Sequence, residues 1–186
     1  MALSTPLEGA WIAVQVRPRS ERVVATQLGI MGYEHYLPMY ARRRTPGSAR
    51  LSPLFPGYVF CRYSVDNPNR IVRVSAVVRL VGTDRGPLPL PEHEVEGIRR
   101  VTTLQLPVEP WPNYQPGERI RVVSGPLSGI EGTLVYMRKR WRLVLAVSAL
   151  QRGVAVEVHV RDVEAFSTRN LRLPAAAAAC YGGVDH

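Results

Sequence analysis

Lysine is all but missing from this chain: of its 24 cationic side chains only Lys139 is a lysine, and the rest are arginine. Cysteine is as scarce. Cys61 and Cys180 lie far apart, the second in a low-complexity end, which excludes a disulfide framework and a cysteine-built zinc site. The four histidines, His35, His93, His159 and His186, stand isolated, so none pairs with another at metal-ligand spacing. No apolar run approaches the ~20 residues that span a bilayer, so no membrane partner is expected. The opening MALSTPLEGA has no basic stretch followed by an apolar one, so a secretory leader is not expected and the cytoplasm is the expected compartment. Neither a Gly-x-Ser-x-Gly elbow nor a phosphate-binding loop occurs. Glu92, Glu94 and Glu96 cluster near a helix start, where they read as complementing the helix dipole rather than as an acid/base pair. The chain is therefore expected not to be an enzyme, with no catalytic residues, no metal and no cofactor.

What is present is positive charge on a globular background. The net charge is +9 over 186 residues, with 46% apolar residues. Residues 1–106 hold 14 Arg against 8 acids, whereas 107–166 are nearly balanced. Clustered arginine points to a phosphate-bearing partner, although an arginine-for-lysine bias of a GC-rich genome gives the same composition.

Pattern along the chain divides it in two. WIAVQV (11–16) alternates like a strand, and Ser20 is placed to cap a helix over about 21–31 with Val24, Leu28 and Met31 on one face. YEHYLPMY is extended because Pro38 forbids a helix interior. Residues 41–53, ARRRTPGSARLSP, read as a hairpin or loop around Pro46-Gly47. PGYVFCRYSV is a strong strand, a short helix follows Asn67 and Pro68, AVVRLVG is another strand, and a helix starts near Pro91. The stretch PVEPWPNYQPG, with four prolines, reads as a linker. Beyond it ERIRVV, GTLVYMR, WRLVLAV and VAVEVHV alternate with period two, as about five strands of a small barrel and not as helices.

The expected fold class is α+β. A ferredoxin-like α/β sandwich (9–106) is joined by a Pro-rich linker (107–116) to a small SH3-like β-barrel (117–166), with a patternless tail (167–186).

Two stretches stand out. LFPGYVF sets Phe55 and Tyr58 on either side of a chain-bending Pro56-Gly57, and GERIRVVSGPLSGIEG is punctuated by Gly117, Gly125, Gly129 and Gly132, with Pro126 presetting the turn. WIAVQVRPRSE, LFPGYVF and VVRLVG resemble the N-terminal domain of the NusG family of transcription factors. PGERIRVVSGPLSGIEGTL resembles that family's KOW domain. The resemblance spans residues 11–166, and the ordered pair is far more specific than a lone KOW pattern, which ribosomal proteins share.

The resemblance implies a monomeric transcription elongation and antitermination factor. Leu54, Phe55, Pro56 and Tyr58 would dock on the clamp helices of RNA polymerase's largest subunit. Alternation sends Tyr58 and Phe60 to one strand face and Val59 to the other, so either ring could instead fill the core. The family likeness would place Arg17, Arg19, Arg22, Arg42, Arg43, Arg44 and Arg50 near upstream or non-template DNA, where guanidinium groups suit phosphates and stack on splayed bases. Gly125, Pro126, Leu127, Gly129, Ile130 and Gly132 would form the KOW turn that engages Rho or a ribosomal protein. Leu127 and Ile130 stand where relatives often carry aromatics. With the strong positive charge, they lean toward a specialised paralogue resembling RfaH or the polysaccharide-operon antiterminators. The alternative is a ribosome- or RNA-binding KOW protein, against which the weaker charge of the barrel argues.

Overall fold

In the computed structural model of the chain the two halves build separate antiparallel sheets that share one apolar seam. The structure describes residues 7–45, 48–64, 68–111, 119–137 and 140–165, with side chains at all of these except 43–45, 48, 49, 68, 69 and 137. Pro46-Gly47, Asn67, Gly117, Lys139 and the tail 167–186 lie outside them.

The first half runs β1 (Trp11–Val16), α1 (Glu21–Ile30), β2 (His35–Tyr36), β3 (Met39–Thr45), β4 (Ser48–Pro53), β5 (Tyr58–Arg62), α2 (Pro68–Val72), β6 (Val77–Leu80), β7 (Gly82–Thr83), β8 (Gly86–Pro87) and α3 (Glu92–Thr103). Its main sheet has the order β2-β5-β1-β6, all neighbours antiparallel. With α1 and α2 as the crossovers, this is the β-α-β-β-α-β path of a ferredoxin-like domain. The β3–β4 hairpin is inserted between β2 and β5, in the stretch expected to form a hairpin or loop.

Period-two alternation gives the sheet two apolar faces. Ile12, Val14, Val59 and Cys61 pack with Val24, Leu28 and Ile71 of α1 and α2. Trp11, Ala13 and Phe60 face the other way, toward Val95, Ile98 and Val101 of α3. So α3 closes the face that a minimal sandwich leaves open. Ser20 stands ahead of α1 as expected, but its side chain makes no capping bond. Its carbonyl instead accepts the Val24 N–H at 2.9 Å.

The second half comprises β9 (Val108–Trp111), β10 (Arg119–Val122), β11 (Glu131–Met137), β12 (Arg140–Val147), β13 (Arg152–Glu157) and β14 (Val163–Ala165), in the order β14-β10-β11-β12-β13-β9. All described elements here are strands or single 3-10 turns, as the period-two pattern requires. Gly132 has no room for a side chain: a Cβ would lie 2.6 Å from Leu143 Cδ1 and 2.7 Å from the Val144 carbonyl. One expectation needs correcting. The first part of the proline-rich stretch is not a free linker, because Val108–Trp111 adds an edge strand to β13. Pro110 is tolerated there because an edge strand need not donate on both sides. Glu109 also forms an ion pair with Arg142 of β12.

Candidate functional site

The LFPGY stretch is a turn with defined chemistry. Tyr58 N–H donates to the Phe55 carbonyl at 3.1 Å, and Gly57 sits at φ +86°. Proline at the second position and a left-handed glycine at the third are what a type II turn demands. The turn is anchored from behind. The buried Glu21 carboxylate of α1 accepts the Gly57 N–H at 2.8 Å, and the Gly57 carbonyl accepts the Val16 N–H at 2.8 Å. Leu54 and Phe55 are each 1% exposed, and Phe55 meets Phe60 edge-to-face at 5.4 Å between ring centres. Tyr58 is half-buried, with the Arg152 guanidinium 5.3 Å from its ring centre. Phe55 and Tyr58 thus have different surroundings, one closed in the core and one at its margin.

The arginines lie around the start of α1 and along the inserted hairpin. Arg17, Arg19, Arg22, Arg42 and Arg50 are all exposed. Arg43 and Arg44 lie on β3, in the same hairpin. Arg22 Nη2 approaches the Leu51 carbonyl at 3.5 Å, which ties the start of α1 to the hairpin. In the hairpin Arg42 is the direct cross-strand partner of Arg50. Like charges placed opposite each other destabilise a ladder, so the hairpin carries a cost in the free protein that an anionic partner would remove.

The turn that the sequence likeness read as a KOW turn runs from Val122 to Ile130, closed by Gly129 N–H to the Val122 carbonyl at 2.7 Å and Val122 N–H to the Ile130 carbonyl at 2.9 Å. Leu127 and Ile130 are 5% and 7% exposed. They belong to the apolar seam that also holds Leu54, Phe55 and the α3 residues, so turn and sandwich are parts of one packed body. Polar contacts line this seam. Ser148 donates its N–H and hydroxyl to the Glu94 carboxylate at 3.1 and 2.6 Å. Arg100 donates to the Ser128 carbonyl at 2.8 Å, and Arg152 to the Pro56 carbonyl at 3.3 Å.

Of these seam residues Arg100, Ser128, Ser148 and Arg152 were not singled out from the sequence. Glu94 does stand in the first turn of α3, as dipole complementation requires, but it also bonds a residue 54 positions away. Gly97 of α3 lies on the face toward the barrel, and a side-chain methyl would make only ordinary contact there. A Cβ there would lie 3.8 Å from Leu145 and 3.9 Å from Ile130. Glu92 has a further role as well. It accepts two bonds from Arg62, at 2.6 and 2.7 Å, and one from Trp11 Nε1 at 3.1 Å. The Arg62 bonds hold its carboxyl below the usual carboxylate range. Arg62 in turn lies 4.6 Å from the Trp11 ring centre. Among the described residues no cluster of three or more His, Cys, Asp or Glu could hold a metal ion, and no helix is long and apolar enough to cross a membrane.

An anchored apolar turn, exposed arginines and a small β-barrel packed on a ferredoxin-like sheet make up the candidate site. The profile of the family described as "Transcription termination factor nusG" matches residues 9–99. A Synechocystis transcription termination/antitermination protein NusG is 31% identical, over 86% of this chain and 91% of that protein. The chain belongs to the NusG family, a family of transcription factors and not of enzymes. The Helicobacter pylori NusG is 30% identical over 60% of this chain, and the match spans 65% of that relative's length. A solved structure described as a domain interaction in Thermotoga maritima NusG shares the fold, with a TM-score of 0.51 at 22% identity, over 85% of this chain and 97% of that one.

Proposed function

We propose that this chain is a bacterial transcription elongation and antitermination factor that binds the clamp helices of RNA polymerase through Leu54, Phe55, Pro56 and Tyr58. Upstream or non-template DNA lies along Arg17, Arg19, Arg22, Arg42, Arg43, Arg44 and Arg50. By bridging clamp and DNA the factor holds the polymerase closed and suppresses pausing or termination.

The observation that carries this reading is the Phe55–Tyr58 turn. It is shaped by Gly57 and braced by Glu21, so it presents an aromatic ring at small conformational cost. The Arg42–Arg50 pairing supports the nucleic-acid half of the proposal.

Binding through this turn requires the barrel to move. Leu54 and Phe55 are buried, and Arg152 of β13 bonds the Pro56 carbonyl and sits by the Tyr58 ring. The same motion frees Leu127 and Ile130 for a partner of the barrel, Rho or a ribosomal protein. Their aliphatic character, with the arginine surface, fits a specialised paralogue of the RfaH or polysaccharide-operon kind.

Single-round transcription with purified polymerase tests the proposal. Pause lifetimes shorten when the chain is added, and Tyr58→Asp abolishes the effect. Unchanged pausing together with tight RNA binding by the barrel would overturn it in favour of an RNA-binding KOW protein.

A further inference from the structure

A second surface lies on the far side of the main sheet, away from α3 and the barrel. Helix α1 buries Val24, Ala25 and Leu28 against that sheet. Its outer face carries Val23, Gln27 and Ile30, a stripe at helical spacing, with Val23 56% and Ile30 81% exposed. Beside it, where α1 meets α2, is a cleft of about 380 Å³ lined by Gln27, Ile30, Met31, Val74 and two arginines, Arg70 and Arg73.

Three observations bear on what the cleft takes. No lining residue is acidic, and neither arginine has an ion-pair partner among the described residues. Gln27 Oε1 is closed off from solvent, so it gives an occupant no acceptor. The lining also has no aromatic ring, so it offers no stacking platform for a base, whereas an apolar side chain would find Ile30, Met31 and Val74.

We propose that this cleft docks an acidic amphipathic segment of a partner protein. An apolar side chain seats between Ile30 and Val74, and carboxylates pair with Arg70 and Arg73. The cleft lies at the other end of α1 from Arg22 and away from the proposed polymerase-binding turn, so an occupant could be held while the factor is at work.

The test titrates the isotope-labelled full chain with a synthetic peptide of about 15 residues, leucine at helical spacing and glutamate elsewhere, followed by amide chemical shifts. The expected result is movement of amides over residues 23–31 and 70–75. Affinity falls about tenfold in Ile30→Asp and in the double variant Arg70→Glu, Arg73→Glu. Ile30 is so exposed that the first variant keeps the fold, and circular dichroism checks both. No shift in this region, equal affinity in the variants, or equal binding of the lysine counterpart overturns the proposal. So would a single-stranded oligonucleotide that moves these amides when the acidic peptide does not.

Discussion

At the scale of single residues, the oddity of LFPGY resolves into backbone geometry. Gly57 must hold φ at +86°, where a side chain costs about 1–2 kcal/mol. Gly57→Ala is expected to lower stability by that amount in denaturant unfolding. The proline-glycine signal and the split of Tyr58 and Phe60 from Val59 were legible, because turn chemistry and strand period are local. The near-complete burial of Phe55 was not, because it depends on partners far along the chain. Cys61 carries a second prediction at this scale. Burial pushes its thiol up to about 12, so in a Cys180→Ser variant no thiol reacts with a disulfide reagent at pH 8 until the protein unfolds. Rapid labelling of the native variant would contradict the packing of β5.

At the scale of elements, the inserted hairpin sets two effects against each other. Arg42 faces Arg50 across the ladder, so Arg42→Ser relieves a repulsion worth a few tenths of a kcal/mol and also removes a phosphate contact. Thermal melting should rise slightly. Affinity for a DNA duplex with an unpaired strand should fall, and its salt slope should lose about one unit. A variant that loses both stability and affinity would mean that the pair has a structural role. Helices and strands of the first half could be read from period and punctuation. The edge strand Val108–Trp111 could not, because four prolines nearby read as linker while the pairing that overrides them comes from β13. The role of α3 was hidden for the same reason. Its apolar stripe is plain in the sequence, but which face of the sheet it covers is set by packing alone.

At the scale of the whole molecule, the apolar seam joins the two domains into a closed form. In that form Leu54 and Phe55 of the proposed polymerase-binding turn and Leu127 and Ile130 of the Val122–Ile130 turn are buried, whereas Pro56, Gly125, Pro126 and Gly129 are exposed. If only an open form binds, the apparent affinity is reduced by the open fraction. Glu94→Ala removes two bonds to Ser148 at the margin of the seam, each worth about 0.5–1.5 kcal/mol. It is therefore expected to tighten polymerase binding several-fold without lowering the stability of either sheet. Weaker binding would place Glu94 in the contact itself.

The most direct measurement is equilibrium binding of the full chain to core RNA polymerase, beside a Tyr58→Asp variant shown to be folded. The account predicts that the wild-type chain binds and that the variant loses at least about tenfold in affinity, as an aromatic anchor at the centre of an interface should. Equal binding by the two proteins would remove the turn from the contact. No binding by the wild-type chain or by the opened Glu94→Ala form would contradict the polymerase reading.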